Sequence, residues 1–202
     1  MRGTRNGIAG NQPLGGRARA RPFRMLTILC AFLCCSATAR DDDVAVTVDY
    51  RDDVYEVHGR FSTRASVDSV WRLLTDYERI PGFVKSMKES TVQRRDGPRV
   101  RVRQVASLGA FPMKKTAWLT LEVLEERPHR IAFRDTLGRD FRTYSGLWEL
   151  RRDSTQTLVL YTLEATPKTA APHWIGRGMM SHAARDLLQQ VRAEAERRTG
   201  AK

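Results

Sequence analysis

This chain predicts an α+β fold: one antiparallel sheet closed by a C-terminal helix. Three observations carry that expectation. From Val44 onward, eight runs alternate apolar and polar residues with period two, separated by segments rich in turn-forming residues. Behind Ser66 the period shifts, with Val67, Val70, Trp71 and Leu74 at helical spacing. The last stretch carries a second helical stripe, Met180, Ala184, Leu187, Leu188, Val191 and Ala195. With 202 residues, 41% hydrophobic and 29% charged, the chain suits one core-forming domain and excludes wholesale disorder and a polytopic membrane protein.

Val44, Val46 and Val48 form the first run and Tyr55, Val57, Gly59 and Phe61 the second, with Tyr50 to Asp53 as a hairpin turn. Ser66 is the expected N-cap of a short helix to about Asp76. A further turn through Tyr77 and Ile80 ends at Pro81-Gly82. Six strands are expected over 84–94, 99–108, 116–126, 130–136, 141–151 and 157–166. Their turns are Asp96-Gly97-Pro98, Gly109 to Pro112, Arg127-Pro128, Leu137 to Asp140 and Asp153-Ser154. Glycine and proline mark Pro167 to Gly178 as a loop, after which the striped helix runs to about Arg198.

Residues 1–39 read as a signal peptide. Six arginines and no acid precede or accompany the apolar run Met25 to Cys35, and Ala37 and Ala39 stand at the −3 and −1 positions of a cleavage site. The mature domain would then be 40–202, exported to the periplasm or secreted. All three cysteines, Cys30, Cys34 and Cys35, lie in the apolar run, so the domain itself offers no thiol chemistry. Of the formal charge of +12, the leader carries six, leaving 29 basic against 23 acidic residues. With export, that argues against nucleic acid as a partner.

Val70-Trp71-Arg72-Leu73-Leu74-Thr75-Asp76-Tyr77-Glu78-Arg79-Ile80-Pro81, then Gly146-Leu147-Trp148-Glu149-Leu150, then the closing helix, resemble in that order the START-like (SRPBCC) superfamily. Within it, the polyketide cyclase/dehydrase and coenzyme Q-binding groups are the nearest in pattern, over about Tyr55 to Arg198. The resemblance implies a helix-grip fold, a curved antiparallel sheet wrapped around the long C-terminal helix, with the space between them a packed core or a ligand cavity.

No sequence feature asks for a metal or other cofactor, and no catalytic residue is assigned. His58, His129, His173 and His182 are scattered, with no HExxH, GxSxG or P-loop. The basic cluster Arg94, Arg95, Arg99, Arg101 and Arg103 reads either as a phosphate footprint or as a solvated sheet face. If the fold is a helix grip, Tyr144 and Trp148 share an inward face with Tyr161 on the next strand. Met180, Leu187 and Val191 then stand opposite, and Trp71 and Phe83 close one end. These residues, with Gln104 or Tyr144 for a polar end, are the expected site for a hydrophobic small molecule such as a lipid, quinone or isoprenoid. The alternatives are a cyclase/dehydratase-type enzyme and a module that binds another envelope protein. Phe111, Met113, Lys114 and Lys115 are an expected contact with an anionic membrane surface.

Overall fold

The computed structural model describes residues 44–108, 115–169 and 172–200, all within the unit Ala39–Lys202. The expected signal peptide, residues 1–39, and the loop residues Phe111, Met113 and Lys114 lie outside the described residues. Eight strands form one antiparallel sheet: β1 (Ala45–Arg51), β2 (Val54–Thr63), β3 (Met87–Asp96), β4 (Arg99–Leu108), β5 (Lys115–Glu126), β6 (Arg130–Asp135), β7 (Phe141–Asp153) and β8 (Gln156–Pro167). Their spatial order is β1-β2-β8-β7-β6-β5-β4-β3. β3 through β8 are therefore a plain meander. The connection from β2 to β3 crosses to the far edge through helix α1 (Val67–Thr75) and the 3-10 helix Tyr77–Gly82. Helix α2 (His173–Gly200) packs on the inner face, chiefly over β2 and β1. This is the helix-grip architecture.

Local chemistry explains the joints. The β1–β2 turn is the pair Asp52-Asp53, both at positive φ, as a two-residue type I′ hairpin requires. Asp53 Oδ1 accepts the Tyr50 hydroxyl at 2.8 Å. Ser66 caps α1 by accepting the Ser69 amide at 3.2 Å. β3 begins at Met87 rather than Val84. The Val84 amide is still bonded to the Ile80 carbonyl and its side chain is buried, so the chain needs two more residues to leave the 3-10 helix.

The larger correction concerns α2, which starts at His173, inside the segment expected as a loop. Gly176 is a contact residue rather than a helix breaker: a Cβ there would fall on the Tyr55 hydroxyl, so only glycine lets the first turn of α2 lie on β2. Arg177 and Arg185 fasten the same face, donating to the Val48 and Val44 carbonyls at 2.9 and 2.8 Å.

Burial follows the pleat. On β5, Ala117, Leu119, Leu121 and Val123 point inward, and on β8, Val159, Tyr161, Leu163 and Ala165 do the same. Ala184, Leu188, Val191 and Ala195 supply the helix side of the core. At the C-terminal end of α2, Glu194 accepts from Arg197 at 2.6 Å and from Arg198 at 2.8 Å. Arg197, and after it Arg198, hold the Glu194 carboxyl down at about 2 despite its partial burial. A carboxyl depressed in the folded state contributes stability that is complete above the ordinary carboxylate pKa and is lost as pH falls toward 2. Glu194→Gln should therefore lower unfolding stability by about 1 kcal/mol at neutral pH, Arg197 being exposed and screened, and change nothing near pH 2. Urea titrations at the two pH values check this.

Candidate functional site

The space between the sheet and the C-terminal half of α2 is not completely filled. A cavity of about 110 Å³ remains there, capped by the 3-10 helix through Tyr77, Ile80 and Phe83. Its floor is the inner face of β4 to β8, and Leu187 and Val191 of α2 form the opposite wall. Seven of the nine expected ligand residues line it: Phe83, Gln104, Tyr144, Trp148, Tyr161, Leu187 and Val191. Trp71 and Met180 do not. Trp71 is packed into the core, and Leu74, one turn further along α1, reaches the cavity instead. Met180 stands about two turns before Leu187 on α2, roughly 10 Å along the axis, and packs half-buried against the core away from the cavity.

The cavity wall is aromatic and its polar groups are few. Trp148 and Tyr161 face each other with ring centroids 4.5 Å apart. Phe133 lies 6.4 Å from Tyr161 and 6.0 Å from Tyr144. Gly146 makes room for it, since a Cβ there would strike both the Phe133 ring and the Thr162 carbonyl. The Tyr144 and Tyr161 side chains are neighbours in this wall. Burial pushes Tyr144 up to about 12, and burial, followed by the nearby Tyr144 oxygen, raises Tyr161 well above its ordinary value. Gln104 Nε2 donates to Ser90 Oγ at 3.2 Å.

The cap is tied to the sheet by a polar latch. The Tyr77 hydroxyl donates to Glu125 Oε1 at 2.8 Å, and Arg95 donates to Glu125 Oε2 at 2.9 Å. Burial first, and the Glu125 charge next, raise the Tyr77 pKa, so this phenol stays a neutral donor. On the other side of the cap the Lys85 amide donates to Gln190 Oε1 of α2 at 2.7 Å.

Sequence reasoning missed Phe133 and Tyr77. The alternation of Ile131 and Phe133 against Arg130, Ala132 and Arg134 contains the signal for Phe133. Nothing local signals Tyr77, whose partner is 48 residues away. Lys115 is exposed at the start of β5. No helix among the described residues is long and apolar enough to cross a membrane, and no three histidine, cysteine, aspartate or glutamate side chains among them converge on a metal position.

A curved antiparallel sheet gripping one long helix around an apolar, aromatic-walled cavity defines a helix-grip domain. The chain belongs to the polyketide cyclase / dehydrase and lipid transport family, whose model matches residues 63–192. No curated protein matches the sequence. Among solved structures, a START superfamily protein from Mycobacterium smegmatis is 14% identical, with a TM-score of 0.62 over 70% of this chain and 97% of that one. The Zhui aromatase/cyclase from Streptomyces sp. R1128 is 19% identical, with a TM-score of 0.60 over 72% and 96%. The STAR-related lipid transfer protein from Xanthomonas axonopodis is 16% identical, with a TM-score of 0.60 over 75% and 93%. At these identities the likeness is one of fold.

Proposed function

We propose that this protein binds a hydrophobic, oxygen-bearing small molecule between the sheet and α2, as a carrier rather than an enzyme. The observation that carries the reading is the cavity lining: apolar side chains around the Tyr144–Tyr161 hydroxyl pair, with Gln104 as a second polar group. Among the described residues that line it only Tyr77, Tyr144 and Tyr161 can ionise, and all three are held neutral at physiological pH. Such groups hold a carbonyl or hydroxyl oxygen in place. They do not take up the proton that an aldol cyclisation or a dehydration must remove, which weighs against the cyclase alternative.

At about 110 Å³ the cavity is smaller than the roughly 300–1,000 Å³ of typical small-molecule sites. A molecule of lipid or quinone size therefore enters by displacing the cap, and the latch at Tyr77 and Glu125 is the contact that has to yield. Apolar desolvation against Trp148, Phe133 and Leu187 supplies the affinity. Leu187→Trp should fill the cavity and weaken binding of an apolar fluorescent dye by about tenfold or more while unfolding stability is retained. Unchanged dye binding in a folded variant would exclude the cavity as the site. Solvent extraction of the protein purified from its own host, followed by mass spectrometry, identifies the occupant.

Export completes the proposal: cleavage after Ala39 would release the domain outside the cytoplasm, where a hydrophobic molecule needs a carrier between membranes. N-terminal sequencing of the protein from its host should begin at Arg40 or within a few residues of it. Loading would take place at an anionic membrane surface touched by the segment from Phe111 to Lys115.

A further inference from the structure

The outer face of the sheet carries a second feature, independent of the cavity. Outward residues of successive strands fall into a single cross-strand row through the pairing registers: Asp49, Glu56, Glu164, Ser145, Arg134, Glu122, Arg101 and Arg94, on β1, β2, β8, β7, β6, β5, β4 and β3. One half is acidic. Asp49, Glu56 and Glu164 are exposed, stand directly opposite one another, and make no ion pair among the described residues. Adjacent like charges across strands destabilise a sheet unless a counter-charge arrives. The other half is basic, with the single carboxylate of Glu122 shared by Arg134 at 2.7 Å and Arg101 at 3.0 Å. The parallel row beside it is uncharged at its centre, where Thr162, Leu147, Ala132 and Leu124 line the floor of a groove of about 870 Å³.

We propose that this face is the contact surface of a two-fold dimer, with the acidic half of one copy lying on the basic half of the other. A two-fold axis parallel to β7 exchanges β8 with β6, β2 with β5 and β1 with β4. Glu164 then meets Arg134 of the second copy, and Asp49 meets its Arg101. Glu56 lies over Glu122 of the second copy, and the two carboxylates share the flanking Arg134 and Arg101, so the net attraction comes from the Glu164–Arg134 and Asp49–Arg101 contacts. The shapes agree as well. A twisted sheet is a saddle, with a groove along one diagonal and a ridge along the other, and rotation about the strand direction lays the ridge of each copy in the groove of its mate. Seven strands at about 4.8 Å spacing and three residue rows give on the order of 600 Å² per copy. About 1,200 Å² in total is the lower limit of a specific interface. The assembly is therefore a reversible, salt-sensitive one. α2 and the cavity stay free on the opposite face.

Sedimentation equilibrium of the purified protein over a wide concentration range tests this. The expected result is a monomer–dimer equilibrium that weakens as salt is raised. Glu164→Arg and Arg134→Glu should each weaken dimerisation by about tenfold or more. The chain carrying both should regain it, because the swapped charges meet again across the axis. Circular dichroism confirms that each variant is folded, and the pair Asp49→Arg with Arg101→Glu replaces any that is not. A monomer at every concentration, a dimer indifferent to the single reversals, or a double variant no better than the singles would overturn the proposal.

Discussion

Leu188→Ala is expected to lower unfolding stability by about 3 to 4 kcal/mol, whereas the same truncation one residue earlier, Leu187→Ala, is expected to cost less than about 2. Leu188 has no exposed surface and its Cδ1 sits where a Cβ on Gly59 would be, so its removal leaves a void between two rigid elements, α2 and β2. Leu187 borders a space already empty and is only partly buried, so it makes fewer contacts to lose. Denaturant titration of the two variants reads the difference as a shift in midpoint at constant slope. Equal costs would mean that α2 does not present one packed and one hollow side to the sheet.

Trp148→Ala should cost about 3 kcal/mol and enlarge the cavity in the same step. One side of the indole packs on Tyr161 at 4.5 Å, and the residue also lines the cavity. Removing it exposes the Tyr144–Tyr161 pair to a larger apolar space. Benzene or indole should therefore raise the melting temperature of the variant by several degrees and that of the parent protein by much less, since ligand binding to the folded state stabilises it by mass action. A variant that melts lower but gains nothing from either probe would show that the sheet collapses into the void, and that Trp148 is a core residue alone.

Much of the fold was legible because its determinants are local. Period-two alternation is a property of neighbouring residues, and it places Val100, Val102 and Gln104 on one face and Arg99, Arg101 and Arg103 on the other without any knowledge of what lies opposite. The turns are equally local, as at Asp52-Asp53 and Gly97. Seven of the nine residues proposed for the cavity line it, and three of them, Tyr144, Trp148 and Tyr161, do so through strand phases that follow from sequence. The two that do not line it are placed by distance along a rigid element. Trp71 and Met180 have the inward phase but another height, since phase repeats every turn while the cavity is reached only by Leu74 on α1 and by Leu187 and Val191 on α2.

The sequence by itself determined the strand count from Val44 on, the inward and outward faces of the sheet and the stripe of the closing helix, because each is a short-range pattern. Only the tertiary structure decided the start of α2 at His173, since glycine at 176 reads locally as a helix breaker and its role as the residue that lets Tyr55 lie against the helix is a long-range contact. It likewise decided the Tyr77–Glu125–Arg95 latch, the small size of the cavity and the charge row from Asp49 to Arg94. Those depend on which residues the register and curvature of the sheet bring together from positions dozens of residues apart, and no local periodicity encodes that.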